Sequence, residues 1–452
     1  MIRYHLPFRP SRLYYGDSVI EGDDCIATIL AVQDALQRVA RPESPFVLLY
    51  APNHPKTIAA YLAILNAGKS CVLADPDIGA FELEEMLAIT PPGALITPRV
   101  ESNHWDFASE IHRAQTPPPS ELAPIEPSST LVYTAAEDGY AKPAVLSLQN
   151  MIADTHAHII SNGSTPASAY CAVIPYHHLF GLVTGALSPC LANAACVVIE
   201  PSNMRAFRKA LSLLARARVS HLYSVPVVYY VMSKIPEAQD VLSQIPYITS
   251  GGYALSEHLY ATYATKFNAA IREGYGLTEA SPICAWNHPD REVKCGSVGQ
   301  SFSCCTIRCV DDAGKEVRTG MPGEIIVRGE NVMNGYYGFA EATKKAIRKG
   351  WLHTGDYGSF DSNGYLYIRG LKKDMANIRG LKAYPAELQR YIKRNPSVES
   401  VHIFTRKSDL EGDKLYAEIT FDRASENAVT DLVRWCKGKL TPFKCPHFQL
   451  AQ

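Results

Sequence analysis

The chain has 452 residues, 47% apolar and 20% charged, a globular composition that excludes a disordered or collagen-like chain. Forty-four basic residues against 45 acidic ones leave a net charge of −1, which argues against binding nucleic acid by phosphate neutralisation. No apolar run reaches the ~18 residues that span a bilayer, and Met1–Pro7 carries no apolar signal core, so no membrane partner is expected.

The length suggests about three folding units. In chain order, Asp24–Ala40 carries apolar residues at helical spacing, and Phe46–Tyr50 reads as a buried strand. Asn53 opens a helical pattern through Leu65 that Gly68 stops. Cys71–Leu73 is a second strand, followed by the turn Asp75-Pro76-Asp77. Strands alternating with helices at this pace predict a mostly parallel, doubly covered sheet. Thr116–Ser129 holds five prolines and reads as an extended linker. Met204–Val219 reads as a helix and His221–Val225 as a strand. Beyond residue 295 short β-rich runs such as Glu324–Arg328 and Tyr365–Ile368 alternate with glycine turns. The last ~80 residues combine helices near Pro385–Asn395 and Val429–Leu440 with strands near Val401–Phe404 and Tyr416–Phe421, a small α+β unit. The 12 cysteines are scattered without a CxxC, the usage of a cytoplasmic protein with reduced, buried thiols.

Four motifs carry chemistry. Gly350-Trp351-Leu352-His353-Thr354-Gly355-Asp356, preceded by Pro322-Gly323-Glu324 and Met333-Asn334-Gly335-Tyr336-Tyr337, ends in a carboxylate suited to two vicinal hydroxyls. Gly274-Tyr275-Gly276-Leu277-Thr278-Glu279 offers a flat ring, a hydroxyl donor and a hard oxygen ligand. The other two are Ser250-Gly251-Gly252-Tyr253-Ala254-Leu255 and Pro175-Tyr176-His177-His178-Leu179-Phe180-Gly181. Together with Leu371-Lys372-Lys373-Asp374 and Tyr384-Pro385-Ala386-Glu387-Leu388, they resemble the AMP-forming adenylate synthetases, the family of acyl- and aryl-CoA synthetases, luciferases and peptide-synthetase adenylation domains. The resemblance runs from about residue 45 to about 446.

It implies an α/β fold. A large N-terminal region (1–371) would contain two α/β subdomains with mostly parallel sheets and a β-rich unit, at about 1–128, 129–295 and 296–371. A small, mobile α+β C-terminal domain (372–452) would be shortened relative to the family. It implies that Asp356 binds ribose, Tyr275 faces adenine, Gly276 belongs to the nucleotide site, Thr278 bonds the α-phosphate and Glu279 holds Mg²⁺. Gly251 and Gly252 would lie against adenine, where Tyr253 either stacks on the base or crowds it. His178 would stand by the acyl pocket, and Lys373 would be the hinge. The ligands implied are ATP or AMP, Mg²⁺, a carboxylic acid, and CoA or an acyl carrier protein as acceptor.

Three departures fall on the chemistry. The phosphate-cradling loop aligns as Tyr133-Thr134-Ala135-Ala136-Glu137-Asp138-Gly139-Tyr140-Ala141-Lys142. Thr134, Gly139 and Lys142 remain, but Glu137 and Asp138 stand where triphosphate lies in the family. A like charge ~4 Å from a phosphate costs about 4 kcal/mol at an effective dielectric of ~20. The arginine that opens the family's hinge is Leu371 here, with Arg369 as a stand-in. The run Thr441–Pro446 is followed by only six residues, short of the family's adenylation lysine, and Lys444 does not match its position. The retained motifs point to an acid–thiol ligase (AMP-forming) with impaired adenylation. The altered loop points instead to a non-catalytic relative that binds acyl groups or nucleotides, or one completed by a partner protein. The ligase is the favoured reading.

Overall fold

The apolar runs Phe46–Tyr50 and Ser70–Ala74 pair in parallel, as continuous hydrophobic strands do when both faces are covered. In the computed structural model, the described residues are 10–97, 111–114, 123–134, 140–199, 204–370, 376–378, 381–383, 385–406, 413–422 and 427–450. Among them, the first sheet has seven strands in the order 335–336, 142–146, 130–134, 70–74, 46–50, 94–96, 111–113. Its four central strands are parallel. A nine-stranded sheet runs 300–301, 283–286, 271–276, 247–250, 221–224, 169–172, 195–197, 12–15, 18–21, with a parallel middle. The mixed α/β architecture expected from the alternation of elements is present.

The sheets do not follow the chain linearly. The strands 12–15 and 18–21 join the nine-stranded sheet, while 130–134 and 142–146 join the seven-stranded one. Asn53 explains part of the junction. The helix Pro55–Asn66 is capped by His54, whose side chain accepts from the Lys56 N–H. Asn53 instead donates from Nδ2 to the carbonyls of Ile174 and Ile199 and accepts from the Tyr176 N–H at 2.7 Å. It ties the first sheet's helix to strand ends of the second.

A five-stranded sheet of 305–310, 323–329, 347–348, 351–360 and 366–370 is antiparallel. The C-terminal residues form a three-stranded sheet, 398–406, 414–421 and 447–450, covered by the helices Pro385–Ile392 and Ala428–Cys436. Their core, including Leu388, Tyr391, Ile403, Ile419 and Leu432, is separate from the larger cores. The last helix ends at Cys436, short of the predicted Leu440, because Gly438 adopts a φ of +75°. No helix among the described residues is long and apolar enough to cross a membrane.

Candidate active site

The two long sequence motifs lie on facing strands. Glu324 and His353–Asp356 are neighbours across the antiparallel pair 323–329 and 351–360. Glu324 accepts from the Gly355 N–H at 3.2 Å through Oε1 and pairs with His353 Nδ1 at 2.8 Å through Oε2. Thr354 donates to the Ile325 carbonyl, and its hydroxyl accepts from the Asp356 N–H. The turn that presents Asp356 is thereby fixed on both sides. Asp356 is buried, and its Oδ2 accepts from the Tyr275 hydroxyl at 2.8 Å. Burial first, then the charge of Asp356, pushes the Tyr275 phenol well up, so it stays protonated and donating.

Tyr275 stands on the strand Ile271–Gly276, which leads into the short turn Thr278–Ala280. Gly276 has no room for a side chain: a Cβ there would overlap the Pro282 carbonyl oxygen. The turn is held from outside by the segment 331–336. Asn331 Nδ2 donates to the carbonyls of Ala280 and Ile283, each at 2.9 Å, and the Met333 N–H donates to the Glu279 carbonyl. The Tyr336 hydroxyl donates to Glu279 Oε1 at 2.8 Å. The Met333–Tyr337 motif thus aims Glu279.

These elements surround a cavity of about 500 Å³. Its wall includes Thr134, Ala141, His177, His178, Gly251, Gly252, Tyr275, Gly276, Thr278 and Glu279. Val173, Phe180, Val225, Val227, Val228 and Trp286 form its apolar part. Phe180 packs its ring edge over Gly251, 2.8 Å from where a Cβ would stand. Burial holds the His178 imidazole down to about 3, helped by His177 and opposed by Asp75, and holds His177 down to about 4. Both are neutral near pH 7. His177 Nε2 lies 3.6 Å from Asp75 Oδ2. Among the described residues His177 Nδ1, His178 Nε2 and Trp286 Nε1 are buried without a hydrogen-bond partner, a cluster that ordinary cores avoid.

A model of the AMP-binding enzyme family matches residues 34–337. The chain belongs to the AMP-binding enzyme family. It is 30% identical over 352 residues to a long-chain-fatty-acid–CoA ligase of Escherichia coli O157:H7, covering 75% of this chain and 61% of that one. It is 26% identical over 412 residues to the feruloyl-CoA synthase of an Amycolatopsis species, covering 88% and 83%. A solved malonyl-CoA ligase with methylmalonyl-CoA and AMP bound shares the fold, with a TM-score of 0.83 at 23% identity over 98% and 96% of the two chains. The chain therefore spans 61% of the length of the E. coli ligase it matches.

In this member of the AMP-binding enzyme family the sequence motifs converge unevenly. His178, Gly251, Gly252, Tyr275, Gly276, Thr278, Glu279 and Thr134 meet at the cavity, and Asp356 stands behind Tyr275. Tyr253 is outside the described wall; its hydroxyl accepts from the Val227 N–H at 2.7 Å and fixes the start of the helix Pro226–Ser233. Lys142 is buried in the strand Lys142–Leu146, its ammonium 5.8 Å from the Phe339 ring centroid, while neighbouring Ala141 faces the cavity. Arg369 bonds Ser359 Oγ and lies over the Tyr367 ring, away from the described wall. Glu137, Asp138, Gly139, Leu371 and Lys373 fall outside the described residues. Sequence reasoning missed Asp75, Glu82, Glu85 and Glu387 and gave Lys444 no role, yet all five line the cavity. Glu82 and Glu85 meet partners more than 300 residues away, and Asp75 meets His177 across about 100, so no local pattern marks them.

Proposed function

We infer that the protein is an AMP-forming acid–thiol ligase acting on an apolar monocarboxylic acid. One observation carries this: the polar motif residues and an apolar pocket share one cavity, so a carboxylate in the pocket meets a nucleotide at Thr278 and Glu279. In the first half-reaction the acid's carboxylate attacks the α-phosphorus of ATP and pyrophosphate leaves. In the second, a thiol attacks the acyl carbonyl and AMP leaves. The Thr278 hydroxyl donates to the α-phosphate, Asp356 accepts from ribose, and Tyr275, Gly251 and Gly252 flank the base. His178, neutral and buried, borders the acyl group.

Lys444 is the sole Lys or Arg among the described lining residues, and it is already paired with two carboxylates. Among the described residues a second carboxylate on the acid would find no uncommitted cation, which disfavours dicarboxylic acids. The relatives' names, a long-chain-fatty-acid–CoA ligase and a feruloyl-CoA synthase, fit an apolar acid and CoA as the thiol. An acyl carrier protein is the second acceptor to test. Among the described residues no group of three His, Cys, Asp or Glu could hold a metal alone. Glu279 offers a single hard oxygen site, which fits a Mg²⁺ that takes its other ligands from phosphates and water. Bound there, Mg²⁺ would neutralise phosphate charge. We assign the chain to the cytoplasm on its twelve free cysteines. A small mobile domain beginning near residue 372 completes the reading.

The purified chain, incubated with ATP, Mg²⁺, CoA and a panel of alkyl and aryl monocarboxylic acids, should release AMP and form thioester in equal amounts. The Glu137-Asp138 pair supports a second reading, a relative that binds acyl-adenylate without making it from ATP. Thioester formed from a supplied acyl-adenylate, with no pyrophosphate released from ATP, would favour that alternative.

A further inference from the structure

The helix Ala80–Ile89 meets the C-terminal residues through charge on one face. Glu85 takes a bidentate pair from Arg390, with Arg390 Nη2 2.8 Å from Oε2, and also accepts from Arg394 at 3.0 Å and from the Tyr391 hydroxyl at 2.9 Å. Arg394 reaches Glu84 as well, and the Arg390 guanidinium lies 4.3 Å from the Tyr140 ring centroid. One turn earlier, Glu82 Oε2 accepts from the Thr441 hydroxyl at 2.6 Å and from the N–H groups of Gly79 and Thr441, both at 3.1 Å. Its Oε1 pairs with Lys444 Nζ at 2.8 Å, and the same ammonium bonds both oxygens of Glu387 at 3.0 and 3.1 Å.

The backbones touch too. The N–H groups of Ala80 and Phe81 donate to the carbonyls of Gly438 and Lys439, and Gly79 approaches Leu440 so closely that a Cβ would stand 2.6 Å from its carbonyl carbon. Apolar contact is made by Phe81, which packs against the C-terminal core and stacks near Tyr391 and Trp435. Thr441, Phe443, Lys444 and Glu387 thereby become part of the cavity wall.

We propose that Glu82 and Glu85 form a two-point electrostatic latch, taking Lys444 and Arg390 of the C-terminal residues, which seats those residues as one wall of the active-site cavity. Lys444 and Arg390 are positioning residues. Seating draws on pairs of opposite charge, so it responds to charge reversal in a way that a packed hydrophobic interface does not. The seated residues Glu387, Thr441, Phe443 and Lys444 complete the cavity wall. The consequence for turnover rests on the ligase reading, whereas the latch itself is read from the free protein.

The experiment is amide hydrogen exchange on the full chain and on Arg390→Glu, Glu85→Arg and the double charge swap, with the strand His221–Ser224 as the folding reference. Exchange at Ala80 and Phe81 should rise at least tenfold in each single variant at unchanged protection of His221–Ser224, and return to within threefold of the parent in the swap. Lys444→Met should raise it in the same way, and Lys444→Arg should largely restore it. In the ligase assay the single variants should shift KM for the acid more than tenfold, and the swap should recover it. Unchanged exchange in the single variants, or a swap no better protected than they are, overturns the latch. Should Arg390→Glu lose protection in the reference strand as well, Glu85→Gln takes its place under the same criteria. Swap-restored protection in a chain that forms no thioester upholds the latch and overturns the ligase reading instead.

Discussion

The Tyr275 hydroxyl donates to Asp356 Oδ2 at 2.8 Å, joining residues 81 positions apart at the buried back of the cavity. The ring faces the cavity while the hydroxyl orients the carboxylate. Tyr275→Phe keeps the ring and removes the donor. A hydrogen bond to a charged group contributes about 1.5–3 kcal/mol, so AMP should bind roughly 10- to 100-fold more weakly. Calorimetric titration with AMP reads this directly. An unchanged affinity would separate Asp356 from the nucleotide.

Gly276 tests the backbone beside it. Because a Cβ there would overlap the Pro282 carbonyl oxygen, Gly276→Ala must displace the turn that carries Thr278 and Glu279. Overpacking of this kind costs about 1–3 kcal/mol. Denaturant unfolding should show that loss, and nucleotide binding should fall further than stability does.

Glu279→Gln keeps an acceptor for the Tyr336 hydroxyl but removes the negative charge. Adenylation, followed as pyrophosphate release, should fall on the order of 10²-fold, the loss of a metal's contribution to charge neutralisation. Tyr336→Phe should leave the charge and give a smaller loss, about tenfold, by freeing Glu279 to rotate.

Acid should destabilise the fold through its buried imidazoles. Burial holds His178 and His158 down to about 3 and His177 to about 4, below the ordinary value of 6.5. Between pH 6.5 and 4 the unfolded chain therefore binds more protons, so stability is full above pH 6.5 and falls as pH drops through that window. Asp154 and Glu387, raised by burial, work in the opposite sense. His178→Asn should remove about 2 kcal/mol of the loss at pH 5. Urea midpoints at pH 7.5 and 5 for parent and variant give the difference.

The motif residues were legible because each motif is local: Tyr275, Gly276, Thr278 and Glu279 lie within five positions, and one strand and turn present them together. The strands 46–50 and 70–74 were legible for the same reason, as short apolar runs between turn signals. Asn53 shows the limit. Its type and position suit a helix cap, yet its amide joins two sheets through carbonyls more than 120 residues away. The face Glu82, Glu84, Glu85 looks like the solvated side of a helix until Arg390, Arg394 and Lys444 arrive from over 300 residues along the chain. Lys444 was set aside because it does not occupy the position of the family's lysine; its placement in the cavity wall comes from docking, which no spacing rule encodes.

The decisive experiment is simultaneous quantification of AMP and acyl thioester from the purified chain with ATP, Mg²⁺, CoA and a series of monocarboxylic acids. Equal, acid-dependent yields of both, with an apolar acid preferred over any dicarboxylic acid, are the expected result. No thioester from any acid, either with ATP or from a supplied acyl-adenylate, would contradict the assignment of this cavity to acid–thiol ligation.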